Sequence, residues 1–189
     1  MLSLSLLALL SLHAAPPAEA LVSARDSLGD LNGLTVVVDV DDPGHVASLD
    51  RRALAAQIEA ALRGADIHVI RYEGTHAANP AVTPGEEGQL KLELLVVQGT
   101  AGADPLAVVR YELGASQWAR LEGDPRSVAF ARTWGQGGVV AAPASQAPTL
   151  VRRALSEALE QFRREYAAAR ASWLARERVR AVEEPRPAR

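Results

Sequence analysis

The residues best suited to chemistry are acidic and lie in one stretch, where the sequence reads DVDDPGHVASLD from Asp39 to Asp50. If Asp39 is the first position of a calcium-binding loop, Asp41 is the third, His45 the seventh and Asp50 the twelfth. Such loops supply oxygen ligands at alternating positions and turn sharply at a glycine, here Gly44. The candidate metal ligands are Asp39, Asp41, Asp42, His45 and Asp50, and the candidate cofactor is calcium.

The same stretch also fits a simple strand-to-helix turn. Pro43 stands where a calcium loop needs an oxygen ligand, and Asp50 replaces the usual bidentate glutamate. Asp-Pro-Gly is typical turn chemistry, and an aspartate is favourable in the first turn of a helix. Both interpretations stay open: an exposed turn, or the centre of a metal-dependent hydrolase that uses Asp39 to Asp42 and His45.

Two tryptophans are candidates for binding a partner. Leu113 and Leu121 occupy odd positions of their strand, and Trp118 occupies an even one. Trp118 should therefore lie on the opposite face, which predicts an exposed aromatic side chain. Trp134 shares its parity with Val128 and Phe130, which favours a place in the core. Nucleophilic catalysis has no support, because the sequence contains neither cysteine nor a Gly-x-Ser-x-Gly motif.

Hydrophobic periodicity predicts the elements that must position these residues. Alternation predicts strands and three-to-four spacing predicts helices, with Ser48 as N-cap and Gly64 as left-handed C-cap of the first helix. Gly114 predicts a bulge or bend within a long strand. The predicted elements are strands at 34–40, 66–72, 90–97, 106–121 and 128–134, helices at 48–64 and from about Thr149, and loops at 73–88 and 135–147.

This order, β-α-β-β-β-β-α, predicts an α+β fold. We expect a mixed five-stranded sheet covered by two helices in a single domain at 21–175. The first strand-helix-strand unit should place its two strands in parallel. The charged, proline-containing segment 176–189 is expected to form a flexible tail.

The first residues resemble a cleavable signal peptide at 1–20. Leu2 to Leu12 is uncharged, and at about 16 Å of helix it is too short to cross a bilayer. Ala18-Glu19-Ala20 supplies the small-x-small pattern before a cleavage site. Since the chain has no cysteine, it offers no disulfide and no lipid-anchoring residue. We therefore expect a periplasmic or secreted protein without a stable membrane anchor.

Charge excludes one class of partner. The formal net charge is −3, and no basic stripe of the kind that binds nucleic acid is present. We expect no nucleic-acid partner.

Several short motifs resemble a largely uncharacterised family of small exported bacterial α/β proteins. They are Leu31-x-Gly33 before a valine-rich strand, a helix that ends at Gly64, Ala131-Arg132-Thr133-Trp134, and a last helix with Phe162 and Tyr166. The predicted topology is also similar to the periplasmic N-terminal domain of TolB and to envelope-assembly domains of the curli secretion kind. The resemblance implies a module that binds partners and does not catalyse.

The sequence therefore predicts an exported, non-catalytic binding or assembly module whose partner is an unknown envelope protein or ligand. The alternative is the metal-dependent hydrolase described above.

Overall fold

The computed structural model describes residues 27–70, 87–101, 104–121 and 124–183. The predicted signal peptide and nearly all of the predicted loop 73–88 lie outside the described residues. A 3-10 helix, Leu28–Asp30, precedes the first strand. The main elements are β1 (Gly33–Asp41), α1 (Arg51–Arg63), β2 (His68–Ile70), β3 (Glu87–Ala101), β4 (Asp104–Leu121), β5 (Asp124–Pro143) and α2 (Ala147–Glu183).

The five strands form one mixed sheet in the order β2-β1-β3-β4-β5. β1 runs parallel to both β2 and β3, whereas β3, β4 and β5 form an antiparallel meander. The predicted α+β class, the five-stranded mixed sheet and its two helices are confirmed. β1 contains five β-branched residues between Leu34 and Val40, which suits a strand paired on both sides.

Both helices cover the same face of the sheet. Leu54, Ile58 and Leu62 of α1 are buried at one-turn spacing and share one core with the inward side chains of the strands. Gln57 Nε2 of α1 donates to Arg152 O at 3.1 Å and to Ser156 Oγ at 2.9 Å, so the two helices lie side by side. The other face of the sheet is left without a helix among the described residues.

The ends of α1 differ from the prediction. Asp50, not Ser48, is the N-cap: its carboxylate accepts from the backbone N–H groups of Arg52 and Ala53. Gly64 does not adopt the left-handed conformation: its φ is −67°, which lies in the right-handed helical region. The left-handed residue of the turn after α1 is instead Asp66, whose φ is +55°.

The predicted loop at 135–147 is wrong, because β5 continues to Pro143. Its glycines make room for packing and do not break the strand. A Cβ on Gly137 would lie 2.7 Å from Tyr111 O, and one on Gly138 would lie 3.0 Å from the Tyr111 ring. The tyrosine therefore fills the space over Gly138 that a side chain would need.

The last helix is longer than predicted at both ends. It begins at Ala147 and continues to Glu183, so helix occupies 176–183 of the segment predicted as a flexible tail. An ion pair one turn apart, Arg180 to Glu177 at 3.0 Å, supports this extension. None of the described helices is long and apolar enough to span a membrane.

The middle of α2 is tied to the segment before β1. Tyr166 Oη donates to Leu31 O at 3.0 Å, and Arg170 donates to Gly29 O at 2.8 Å. Asp30 is part of the same contact, and burial raises the pKa of its carboxyl group. These contacts hold the 3-10 helix and Leu31 against α2.

Candidate functional site

We call the sheet surface opposite the helices the open face. Because side chains alternate along a strand, it carries every second residue of each strand. Cross-strand pairing sets its members in register. They include Val37 and Asp39 of β1; Lys91, Glu93, Leu95 and Val97 of β3; Val108, Arg110, Glu112 and Trp118 of β4; and Phe130, Arg132, Val139 and Ala141 of β5.

One end of the open face is apolar. Leu95, Val97 and Val139 are 42%, 54% and 66% exposed. Val97 lies beside Val108, which lies beside Ala141. In the adjacent row, Leu95 and Val139 lie on either side of Arg110. We call the five apolar residues the apolar patch. Large contiguous apolar patches on a soluble monomer often mark contact sites.

The middle of the open face is a network of ion pairs around Glu112. Arg132 pairs with Glu112 from the next strand, and Arg110 donates to the same carboxylate at 3.1 Å. The Arg132 guanidinium lies over two glycines: a Cβ on Gly114 or Gly135 would come within 2.8 or 2.5 Å of its nitrogens. The hydrogen bond from Arg132 lowers the pKa of Glu112.

A second set of ion pairs joins β1 and β3. Lys91 Nζ lies 3.0 Å from Asp39 Oδ2 and 2.7 Å from Glu93 Oε1. The hydrogen bond to Glu93, with that to Asp39, raises the pKa of Lys91.

A cavity of about 520 Å³ opens where β1, β3 and β4 meet the start of α1. Asp39 and Asp41 of the predicted ligand set line it, but Asp42, His45 and Asp50 do not. The charged side chains around it are Asp39, Asp41, Arg51, Glu93, Arg110 and Glu112.

The remaining predicted ligands serve the backbone of the turn. Asp42 accepts hydrogen bonds from Val46 N at 2.9 Å and Ala47 N at 3.1 Å. Asp50 caps α1, and His45 has a left-handed φ of +54°. The described residues contain no group of three His, Asp or Glu side chains that could hold a metal ion. A calcium site in this stretch stays a prediction.

The two tryptophans lie on opposite faces of the sheet. Trp134 is 8% exposed; its ring packs against Phe162 at 5.0 Å, and Nε1 donates to Glu165 at 3.2 Å. Trp118 is half-buried on the open face. The centroid of its ring lies 5.4 Å from that of the exposed Phe130, and the two rings meet edge to face. A role for either tryptophan in binding stays a prediction.

The prediction that Phe130 and Trp134 lie on the same face of the sheet is wrong. The register between β4 and β5 shifts at Ala115/Ser116, so Thr133 is an extra residue in β5. An extra residue reverses the alternation beyond it, which places Phe130 outside and Trp134 inside. The bulge is in β5, opposite Ala115 and Ser116, whereas Gly114, where a bulge or bend was predicted in β4, pairs in register with Lys91 and Gly135.

Sequence reasoning missed most of the open face. Leu95 and Val97 lie on the same side of β3 as Lys91 and Glu93. Apolar residues on the polar side of a strand indicate an exposed apolar surface, and this pattern is visible in the sequence. The ion pair between Arg132 and Glu112 corresponds to no pattern in the sequence, because it depends on the pairing of two strands.

Comparison with known proteins shows no close relative. No family model matches the sequence, and no curated protein matches it. Two solved bacterial structures are similar in part. A hypothetical protein from Chlamydia trachomatis is 10% identical, with a TM-score of 0.46, and the match covers 72% of this chain and 99% of that one. A minor lipoprotein from Acinetobacter baumannii is 11% identical, with a TM-score of 0.40, over 74% of this chain and 92% of that one. Neither likeness assigns a function here.

Proposed function

We propose that the protein is an exported, non-catalytic binding module that contacts a partner protein through the apolar patch. The observation that carries the proposal is the open face, where Leu95, Val97 and Val139 are exposed around Arg110. Burying a valine or leucine side chain contributes about 1.5–3 kcal/mol. A partner that covers the patch gains this energy without any rearrangement of the sheet.

The ion pairs beside the patch support the same function. Arg110 lies within the patch, between Leu95 and Val139, and pairs with Glu112, which also pairs with Arg132. Partner surfaces commonly combine an apolar centre with a polar rim that selects orientation. Export is supported by the resemblance of residues 1–20 to a signal peptide.

Site-specific photo-crosslinking in the native cell tests the binding surface. A benzophenone amino acid at Val97 should form an adduct with one heterologous protein. The same probe at Arg153 of α2, whose side chain is 77% exposed, is the control and should not. Excess unlabelled wild-type protein should compete away the adduct, whereas a Val97→Lys variant should not. Equal labelling from the two positions would contradict the proposal.

Mass spectrometry of the protein from the periplasm or medium tests export. We expect a mature chain that begins at Leu21. An intact Met1 on protein recovered from the cytosol would remove the exported location.

A further inference from the structure

The outer edge of β5 is built differently from the opposite edge of the sheet. β5 is the last strand in the order, and among the described residues it pairs with β4 alone. Every second residue of an edge strand points its N–H and C=O groups away from the sheet. The opposite edge is β2, which spans 3 residues of the part of the chain that the structure describes, whereas β5 spans 20.

The part of this edge at 135–142 lacks the usual protection against pairing. Natural edge strands are short, or carry lysine, proline or other charges that keep a second strand away. The sequence GQGGVVAA at these positions has no charged residue and no proline. Arg132 lies before the stretch, and Pro143 closes it.

We propose that this edge pairs with the same edge of a second copy of the chain, antiparallel and centred on Val139. The two five-stranded sheets then form one sheet of ten strands across a two-fold axis. A two-fold axis requires each residue to meet its symmetric counterpart, which antiparallel pairing of one strand with itself provides.

Neutrality is the reason for choosing a second copy. The stretch offers no charge by which to select a partner strand of opposite sign, whereas two copies match in length and bring no like charges together. Arg132 falls opposite Gln146 in this arrangement, beyond the paired residues.

Val139 sets the register. It is 66% exposed, more than Leu95, Val97 or Phe130. Centring on Val139 places its side chain next to its own copy, with Cβ atoms about 4.5–5.5 Å apart. Gly137 then lies opposite Ala141, and Gly138 opposite Val140. Leu95 and Val97 stay exposed for the proposed partner contact, whereas Val139 and Ala141, which also belong to the apolar patch, lie at the pairing edge.

Sedimentation equilibrium of the full chain over a concentration series tests the pairing. We expect the wild-type mass to rise from monomer to dimer. Val139→Lys should raise the dissociation constant by about tenfold or more, because two ammonium groups replace an apolar contact. Val97→Lys, on the same face but away from the edge, is the matched control and should dimerise as the wild type does. Thermal melting by circular dichroism should show both variants folded.

Cysteine crosslinking supplies an independent readout, since the chain has no cysteine of its own. Under mild oxidation Val139→Cys should form a covalent dimer at least about tenfold faster than Val97→Cys, because cross-strand Cβ spacing is close to that of a disulfide. A wild type that stays monomeric at every concentration overturns the proposal, even if it binds an extended peptide. A dimer that is unaffected by Val139→Lys, or equal crosslinking at the two positions, also overturns it.

Discussion

Replacing Gly29 by alanine should loosen the contact between the 3-10 helix and α2. A Cβ built on Gly29 would lie 2.5 Å from Ala169 O, 2.7 Å from Trp173 Cβ and 2.9 Å from Ala169 C. Two of these atoms belong to the backbone of α2, so rotation of a side chain cannot relieve the overlap. Either the 3-10 helix or α2 must move.

The magnitude follows from the overlap and from the hydrogen bonds beside it. Overpacking costs about 1–3 kcal/mol. Movement of α2 also weakens the hydrogen bonds of Arg170 to Gly29 O and of Tyr166 to Leu31 O, each of which contributes about 0.5–1.5 kcal/mol. We expect the free energy of unfolding to fall by about 2–4 kcal/mol, and the melting temperature by about 4–16 °C.

Gly64→Ala is the matched control. Gly64 has a helical φ of −67°, and the nearest atom to a new Cβ is Ala60 O at 3.4 Å, an ordinary contact. Alanine should therefore stabilise the protein by about 0.4–1 kcal/mol, because it reduces the entropy of the unfolded chain. Urea denaturation followed by circular dichroism measures both variants. A Gly29→Ala variant as stable as the wild type, or more stable, would refute the packing described for α2.

Three further changes test the core, the ion pairs and the helix cap. Phe162→Ala should lower the free energy of unfolding by about 3–5 kcal/mol in urea, because the side chain is fully buried against Trp134; a loss under 1 kcal/mol would contradict this packing. Folding lowers the pKa of Glu112 below its unfolded value, near 4.5, so the ionised carboxylate stabilises the folded protein above that pH. This stabilisation is lost as the pH falls through the folded pKa. Wild type should thus lose more stability than Glu112→Gln when melting curves are compared below about pH 4.5, and parallel losses would count against the ion pairs. Asp50→Ala should cost about 0.5–2 kcal/mol by chemical denaturation and Ser48→Ala little, since only Asp50 caps α1; the reverse order would restore Ser48 as the cap.

The sequence by itself determined the fold class and much of the core. Alternation in β3 predicts that Leu90 and Leu92 face inward, and both are fully buried. The regular spacing of apolar residues predicts the buried side of α2, including Phe162. These features depend on local periodicity, which each segment carries whatever its neighbours are.

Tertiary structure alone decided which surface is open and what lies on it. The extra residue at Thr133 exists only relative to the register of β4, and it moves Phe130 and Trp134 to opposite faces. Arg132 reaches Glu112 only because two glycines of paired strands leave a path for its side chain. The open face itself results from both helices packing on one side of the sheet. Pairing and packing join residues distant in the chain, and no local pattern in the sequence records which of them will meet.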